Sequence, residues 1–267
     1  MRSEEEEVSQ RIACGSSAVE AEIEFFQSQF GAVASEWKKD ASRVTEADHR
    51  ISERILAAIE NEFPEDDGCS EELNIQTGKP LQAKFAWVLD PIDGTNNFAI
   101  GLPNCAISLA LLKDGHPLYG WVYDYAGKQL VHGGAGRGLF KGKDLIQART
   151  PDLQECTPFG LQFPLPAEVL RKLEPLLVEE RVRSLGSSTM EGVYITLRQL
   201  QGAVDFRVKV WDIAAFFAFF DEIGMRYRFL DESPFPLRVF DPSMKPVPYL
   251  AGSDEFCDRV EQLLGLS

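Results

Sequence analysis

Two aspartates three positions apart carry the strongest chemical signal in this sequence, in the stretch Trp87-Val88-Leu89-Asp90-Pro91-Ile92-Asp93-Gly94-Thr95-Asn96-Asn97-Phe98. An apolar run ends at Asp90, and Pro91 stiffens the backbone before Asp93. The Asp90 carboxylate, the Ile92 carbonyl and the Asp93 carboxylate can then converge as hard oxygen donors, the type Mg²⁺ prefers. Gly94 has no side chain to obstruct an approaching anion, and a helix starting at Thr95 would aim free N–H groups at the same place. The Thr95 hydroxyl can hold an attacking water. The same residues also suit an ordinary strand-to-helix turn with Thr as the cap, so this stretch alone leaves both readings open.

A second constellation is Lys209-Val210-Trp211-Asp212-Ile213-Ala214-Ala215, with Asp212 at the start of an apolar helix. Its carboxylate serves a metal or caps the helix. Glu71 and Glu72 precede Asp90 in a stretch with five acids over residues 65–72, a solvated acidic loop or part of the same site. Spacing rejects one chemistry. A haloacid dehalogenase needs a nucleophilic Asp two residues before the second Asp, and here that position is Pro91.

These residues need elements to hold them. Val19, Ile23, Phe26 and Phe30 recur at helical spacing, which predicts helix in the second half of residues 4–30, after a solvated run of Glu. Thr45-Glu46-Ala47-Asp48 resembles a capping box ahead of Ile51, Ile55, Leu56, Ile59 and Phe63, and Pro64 closes that helix. Strands are predicted at 85–89, 106–112, 118–125 and 129–131, punctuated by Gly115, Gly127 and the glycines of 133–138. Residues 150–166, with four prolines, mark a boundary between an N-terminal lobe, 1–150, and a C-terminal lobe, 151–267, of one catalytic unit. Beyond it helices are expected at 168–180, 188–200, 212–223 and 254–264, and strands at 182–185, 204–210, 225–230 and 247–251. The sum is a mixed α/β layered protein.

Composition narrows the partners. The chain has 267 residues, 44% of them apolar, and 27 basic against 42 acidic side chains give a net charge of −15. That composition is globular, and the charge argues against general nucleic-acid or anionic-membrane partners. Cys14, Cys69, Cys105, Cys156 and Cys257 are scattered, with no Cys-x-x-Cys, so neither a zinc framework nor a disulfide scaffold is expected. The apolar runs 105–112 and 213–220 are too short to span a bilayer, and the acidic start lacks a signal-peptide core. A cytoplasmic location is the expectation.

Taken together, the residues resemble the inositol monophosphatase family of Mg²⁺-dependent, lithium-sensitive phosphomonoesterases. The resemblance runs from Val44-Thr45-Glu46-Ala47-Asp48 to the final helix and rests on the 90–98 motif, Gly101-Leu102-Pro103, Ile107-Ser108, the 134–140 segment and Trp211-Asp212 with Ala214-Ala215. It implies a layered α-β-α-β-α sandwich of the inositol monophosphatase and fructose-1,6-bisphosphatase type, two or three Mg²⁺ per site, and a homodimer. It also assigns roles. Glu71, Asp90, the Ile92 carbonyl, Asp93 and Asp212 would ligate metal, with Asp48 near a third, weaker position. Thr95, with Glu71 and Asp48, would orient the nucleophilic water. The Gly94 and Thr95 amides would meet phosphate, and Gly186-Ser187-Ser188 would contact the alcohol. The implied reaction is metal-assisted, in-line hydrolysis of a phosphate ester without a phosphoenzyme.

Departures from the family pattern bear on the substrate. Ser70 stands where Gly is usual, Ile100 where a polar residue is common, Phe216 where a small residue follows Ala215, and Met225 where a second Gly often follows Gly224. The segment before Trp211 is short and brings Arg207 near the place of a Glu that binds inositol hydroxyls. Arg207 would recognise a second anionic group or form a surface ion pair. A small phosphorylated polyol or sugar, inositol monophosphate first, is the expected substrate. Fructose 1,6-bisphosphate, histidinol phosphate and 3′-phosphoadenosine 5′-phosphate are the alternatives. A non-enzymatic metal- or inositol-phosphate-binding partner protein is the alternative of another class.

Overall fold

The computed structural model describes residues 3–32, 35–37, 43–73, 78–146 and 157–266. Helix α1 (Glu4–Gln29) starts on a capping box between Ser3 and Glu6, well before the predicted half-helix. Its first turns are held by a buried stripe of Val8, Arg11, Cys14, Gly15 and Ala18. Counting apolar residues passes over this stripe because one member is a cation. The Arg11 guanidinium lies over the rings of Phe63 and Phe85, at 4.3 and 4.1 Å, and pairs with Asp66 at 2.7 Å.

Strands β1 (Ser35–Trp37) and β2 (Arg43–Thr45) pair antiparallel and lead into α2 (Glu46–Glu62). Thr45 caps α2 with Asp48 as its reciprocal partner, as predicted, and Ile51, Ile55 and Ile59 are buried. Then follow β3 (Asp67–Ser70), β4 (Lys79–Pro80), β5 (Phe85–Asp93), the short α3 (Thr95–Ile100), β6 (Ala106–Lys113), β7 (His116–Asp124), β8 (Gln129–Gly133), β9 (Leu139–Lys141) and β10 (Asp144–Leu145). The seven-stranded sheet has the order β10-β9-β8-β7-β6-β5-β3, antiparallel except that β3 runs parallel to β5. All four predicted strands of this region lie in it. The expected acidic loop contains β3 instead. Asp-Gly-Cys-Ser has little intrinsic strand preference and is held by pairing with β5 and by complete burial of Cys69 and Ser70.

The second half contributes β11 (Phe159–Leu161), α4 (Ala167–Glu179), β12 (Val182–Arg183), α5 (Ser188–Thr196), β13 (Gly202–Asp205), α6 (Val210–Ile223), β14 (Arg226–Phe229), β15 (Val239–Phe240), β16 (Tyr249–Gly252) and α7 (Asp254–Leu264). A five-stranded sheet has the order β12-β11-β13-β16-β14, and β15 pairs with β4. Within the proline-rich 150–166 stretch, β11 is a sheet strand between β12 and β13; residues 150–156, including Cys156, lie outside the described residues. The strand expected at 204–210 ends at Asp205, whose Oδ1 accepts from the Arg207 amide at 2.7 Å and turns the chain. The helix expected at 188–200 stops at Thr196, and the one expected at 212 starts two residues earlier, at Val210.

Strand alternation sorts the core into layers. On the large sheet, Trp87, Leu89, Leu109 and Trp121 face α1 and α2, whereas Val88, Ala110 and Val122 face α5 and α6. On the small sheet, Ala203, Tyr249 and Ala251 face α5 and α6, whereas Phe159, Val204 and Leu250 face α4 and α7. The architecture is therefore an α-β-α-β-α sandwich with α5 and α6 at its centre. The central position suits α6, whose Phe216, Phe217, Phe219 and Phe220 are all buried. Among the described residues no helix is long and apolar enough to cross a membrane.

Candidate active site

The site begins as a problem of strand parity. Residues three apart on a regular strand point to opposite faces, which would separate Asp90 from Asp93. Here Asp90 pairs with Ser108 and Asp93 with Ala106, so β5 carries one residue more than β6 between the two pairs. This bulge restores the parity and brings both carboxylates to the face that packs on α6. Asp212, in the first turn of α6, meets them there. Its Oδ2 accepts from the Lys209 amide at 2.7 Å, so it caps the helix as well as joining the cluster. Carboxylate oxygens of Asp90, Asp93 and Asp212 all lie within 4.8 Å of one another.

Burial raises the Asp90 carboxyl well above the usual range, and the charges of Glu71, Asp93, Asp212 and Asp48 add to it. Burial likewise raises Asp212, helped by Asp93 and Glu71. Asp93 is pushed up to about 6 by burial, held back by hydrogen bonds from Ser187 and Thr189. These groups resist ionising together without a cation. Two buried carboxylates and a half-buried third in mutual reach are the donor set of a hard divalent ion, and the residues present fit Mg²⁺.

The other predicted residues surround this centre. Glu71 follows β3, and its amide donates to the Leu89 carbonyl at 3.1 Å, beside Asp90. The departure at Ser70 is accommodated by a 2.7 Å hydrogen bond between its Oγ and that of Ser52 on α2. Asp48 is 1% exposed and accepts from Thr45 N and Oγ1 at 2.7 and 2.5 Å. Thr95 Oγ1 donates to the Ile92 carbonyl at 2.8 Å and approaches Asp48 Oδ1 at 3.4 Å. Gly94 has φ +78°, and a Cβ there would lie 2.9 Å from the Asn104 carbonyl, so the turn requires glycine.

Residues 186–188 approach the cluster from the other side of the fold. Ser187 Oγ donates to Asp93 Oδ2, and Ser188 Oγ donates to Asp205 Oδ2 at 2.8 Å. Asn97 Nδ2 ties this turn to the motif through the Leu185 carbonyl at 2.7 Å and the Asn104 carbonyl at 2.9 Å. Arg207 is exposed on the connection after β13, and among the described residues it forms no ion pair within 4 Å. Thr189 joins the site without any sequence signal. Its amide donates to Asp93 Oδ2 at 3.0 Å and its Oγ1 to the Asp212 carbonyl at 2.8 Å, joining two candidate ligands across a distance no local pattern reveals.

Residues 4–252 match the inositol monophosphatase family. The chain is 31% identical over 183 residues to a fructose-1,6-bisphosphatase/inositol-1-monophosphatase of Thermotoga maritima, a match that covers 68% of this chain and 69% of that protein. It is 28% identical over 178 residues to the Nus factor SuhB of Pasteurella multocida, covering 64% and 66% respectively. An IMPase/NADP phosphatase solved with Mg²⁺ and phosphate shares the fold, with a TM-score of 0.79 at 22% identity over 98% of this chain and 96% of that one.

Proposed function

This chain belongs to the inositol monophosphatase family and is a phosphatase, and from that premise we propose that it is a Mg²⁺-dependent phosphomonoesterase of a small phosphorylated polyol or sugar, inositol monophosphate first. The observation that carries the reading is the convergence of the buried Asp90 and Asp93 with the half-buried Asp212 in one cluster. These three, with Glu71 and the Ile92 carbonyl, would hold the metal. When bound, Mg²⁺ neutralises phosphate charge and lowers the pKa of water.

The chain's own groups supply orientation. Thr95 Oγ1 directs its proton to the Ile92 carbonyl, with Asp48 beside it, which leaves hydroxyl lone pairs to accept from the attacking water. The Gly94 and Thr95 amides would bind phosphate oxygens. The Ser187 and Ser188 hydroxyls donate to Asp93 and Asp205, so toward a substrate alcohol they would act as acceptors, with Gly186 and Arg207 as the other groups expected to meet it. An exposed Arg207 beside the site would recognise a second anionic group, which keeps fructose 1,6-bisphosphate beside inositol monophosphate as a candidate substrate. Within this reading, residues 1–150 and 151–267 are two lobes of one catalytic unit that acts as a Li⁺-inhibited homodimer in the cytoplasm.

The test is phosphate release from inositol 1-phosphate, fructose 1,6-bisphosphate, histidinol phosphate and 3′-phosphoadenosine 5′-phosphate, with and without Mg²⁺. Release only with Mg²⁺ supports the proposal, and no release from any of the four overturns it. Asp93→Asn should abolish turnover while far-UV circular dichroism stays unchanged. Arg207→Glu should depress bisphosphate turnover relative to monophosphate; an unaltered ratio removes Arg207 from substrate selection.

A further inference from the structure

The reading above leaves unexplained a carboxyl group buried deep beside the cluster. Glu191, on α5, has no solvent exposure. Its Oε1 accepts from Gln162 Nε2 at 2.7 Å, and Gln162 Oε1 in turn accepts from the Gly186 amide at 3.2 Å. The Glu191 amide donates to the Ser187 carbonyl at 3.2 Å. Glu191 thus grips the 186–187 turn at two points, once through its backbone and once through Gln162. That turn delivers the Ser187 hydroxyl to Asp93 Oδ2, and two residues further on the Thr189 amide donates to the same oxygen.

The space around Glu191 is shaped for a carboxyl group. On β11 the neighbouring residue is Gly160, where a Cβ would lie 2.9 Å from Glu191 Cδ. Glu191 Oε2 has no hydrogen-bond partner, and neither does the buried hydroxyl of Tyr249. An apolar side chain of similar size would fill this space but would leave the buried Gln162 Nε2 without its acceptor, so packing alone does not account for a glutamate. Burial, with Asp205 and Asp93 nearby, pushes the carboxyl well above its ordinary range, which favours its neutral form.

We infer that Glu191 is a positioning residue of the metal site, fixing through Gln162 the turn whose donors set the rotation of the Asp93 carboxylate. This rests on the proposed function, because it assigns Asp93 to the metal. The task of Glu191 is to present an acceptor, not a charge. Glutamine keeps that acceptor and leucine removes it, while Gln162→Met cuts the same bridge from the other end.

Mg²⁺ binding to the purified full chain, measured by isothermal titration calorimetry, decides the matter. Unfolding temperatures in EDTA show that each variant is folded. Glu191→Leu and Gln162→Met should raise the Kd for Mg²⁺ by about 10- to 100-fold, and Glu191→Gln should stay within about threefold of wild type. Folded Leu and Met variants that bind like wild type overturn the inference, as does a Gln variant that loses as much as Leu. If Glu191→Leu does not fold, Gln162→Met alone decides by the same criterion. A wild-type chain that takes up no Mg²⁺ overturns the functional reading itself, which keeps the two failures distinct.

Discussion

The bulge that turns Asp90 and Asp93 to one face also makes them poor neighbours, since both are buried and the Asp93 charge adds to the resistance of Asp90 to ionising. Replacing one by its amide removes a repulsion from the metal-free protein and a ligand from the metal-bound one. Asp90→Asn keeps an oxygen to accept from the Ile92 amide, a bond of 3.0 Å in the native chain. The expected outcome is a higher unfolding temperature in EDTA, by about 2–4 °C for each ~1 kcal/mol of relieved repulsion, with no further rise on adding Mg²⁺. Differential scanning fluorimetry with and without Mg²⁺ reads both. An amide variant that is less stable in EDTA, yet still stabilised by Mg²⁺, would falsify the assignment of Asp90 as a ligand.

Between elements, α5 packs tightly on α6. Gly192 lies under Phe216, and a Cβ there would come within 2.2 Å of the Phe216 ring carbon Cγ. Phe216 is thus accommodated by a missing side chain on the facing helix. Alanine in place of a helical glycine ordinarily stabilises by about 1 kcal/mol. Here overpacking reverses the sign, and Gly192→Ala should destabilise by about 1–3 kcal/mol. Adding Phe216→Ala removes the obstruction, so urea unfolding of the double variant should show coupling of about 0.5–3 kcal/mol between the two sites. Additive losses would mean that the two residues do not constrain each other. The pair also shows where sequence reading stops. The cap of α2 at Thr45 and Asp48 and the whole of α7 were legible, because caps and apolar periodicity are local. Strand β3 and the first turns of α1 were not. They depend on the partner strand β5 and on the Arg11–Asp66 pair, contacts that lie far away along the chain.

At the scale of the whole molecule, a net charge of −15 describes the surface, whereas the site depends on where a few acids meet. The motif residues Asp90, Asp93 and Asp212 were legible from local pattern and family resemblance. Thr189, Gln162 and Glu191, which brace them, were not, since each acts through a partner brought near only by the stacking of the two sheets. The same gathering of acids predicts how pH and metal act together. In the metal-free protein Asp93 is raised to about 6, with Asp90 and Asp212 raised as well, whereas in the unfolded chain they ionise near about 3.9. The native state therefore holds protons that the unfolded chain has released, and these groups withdraw stability as pH rises through their folded values. Mg²⁺ needs the ionised carboxylates, so its binding strengthens over the same interval. A metal at 100 times its Kd stabilises by about 2.7 kcal/mol, or about 5–11 °C in a chain of this size. The rise in unfolding temperature on adding Mg²⁺ should approach that range at pH 7.5 and fall to less than half of it at pH 5.5. The scan is repeated with Ca²⁺-free Mg²⁺ at constant ionic strength, because screening of the acidic surface by salt alone would raise stability at both pH values alike. Equal shifts at pH 5.5 and 7.5 would assign the stabilisation to that surface and not to the buried carboxylates.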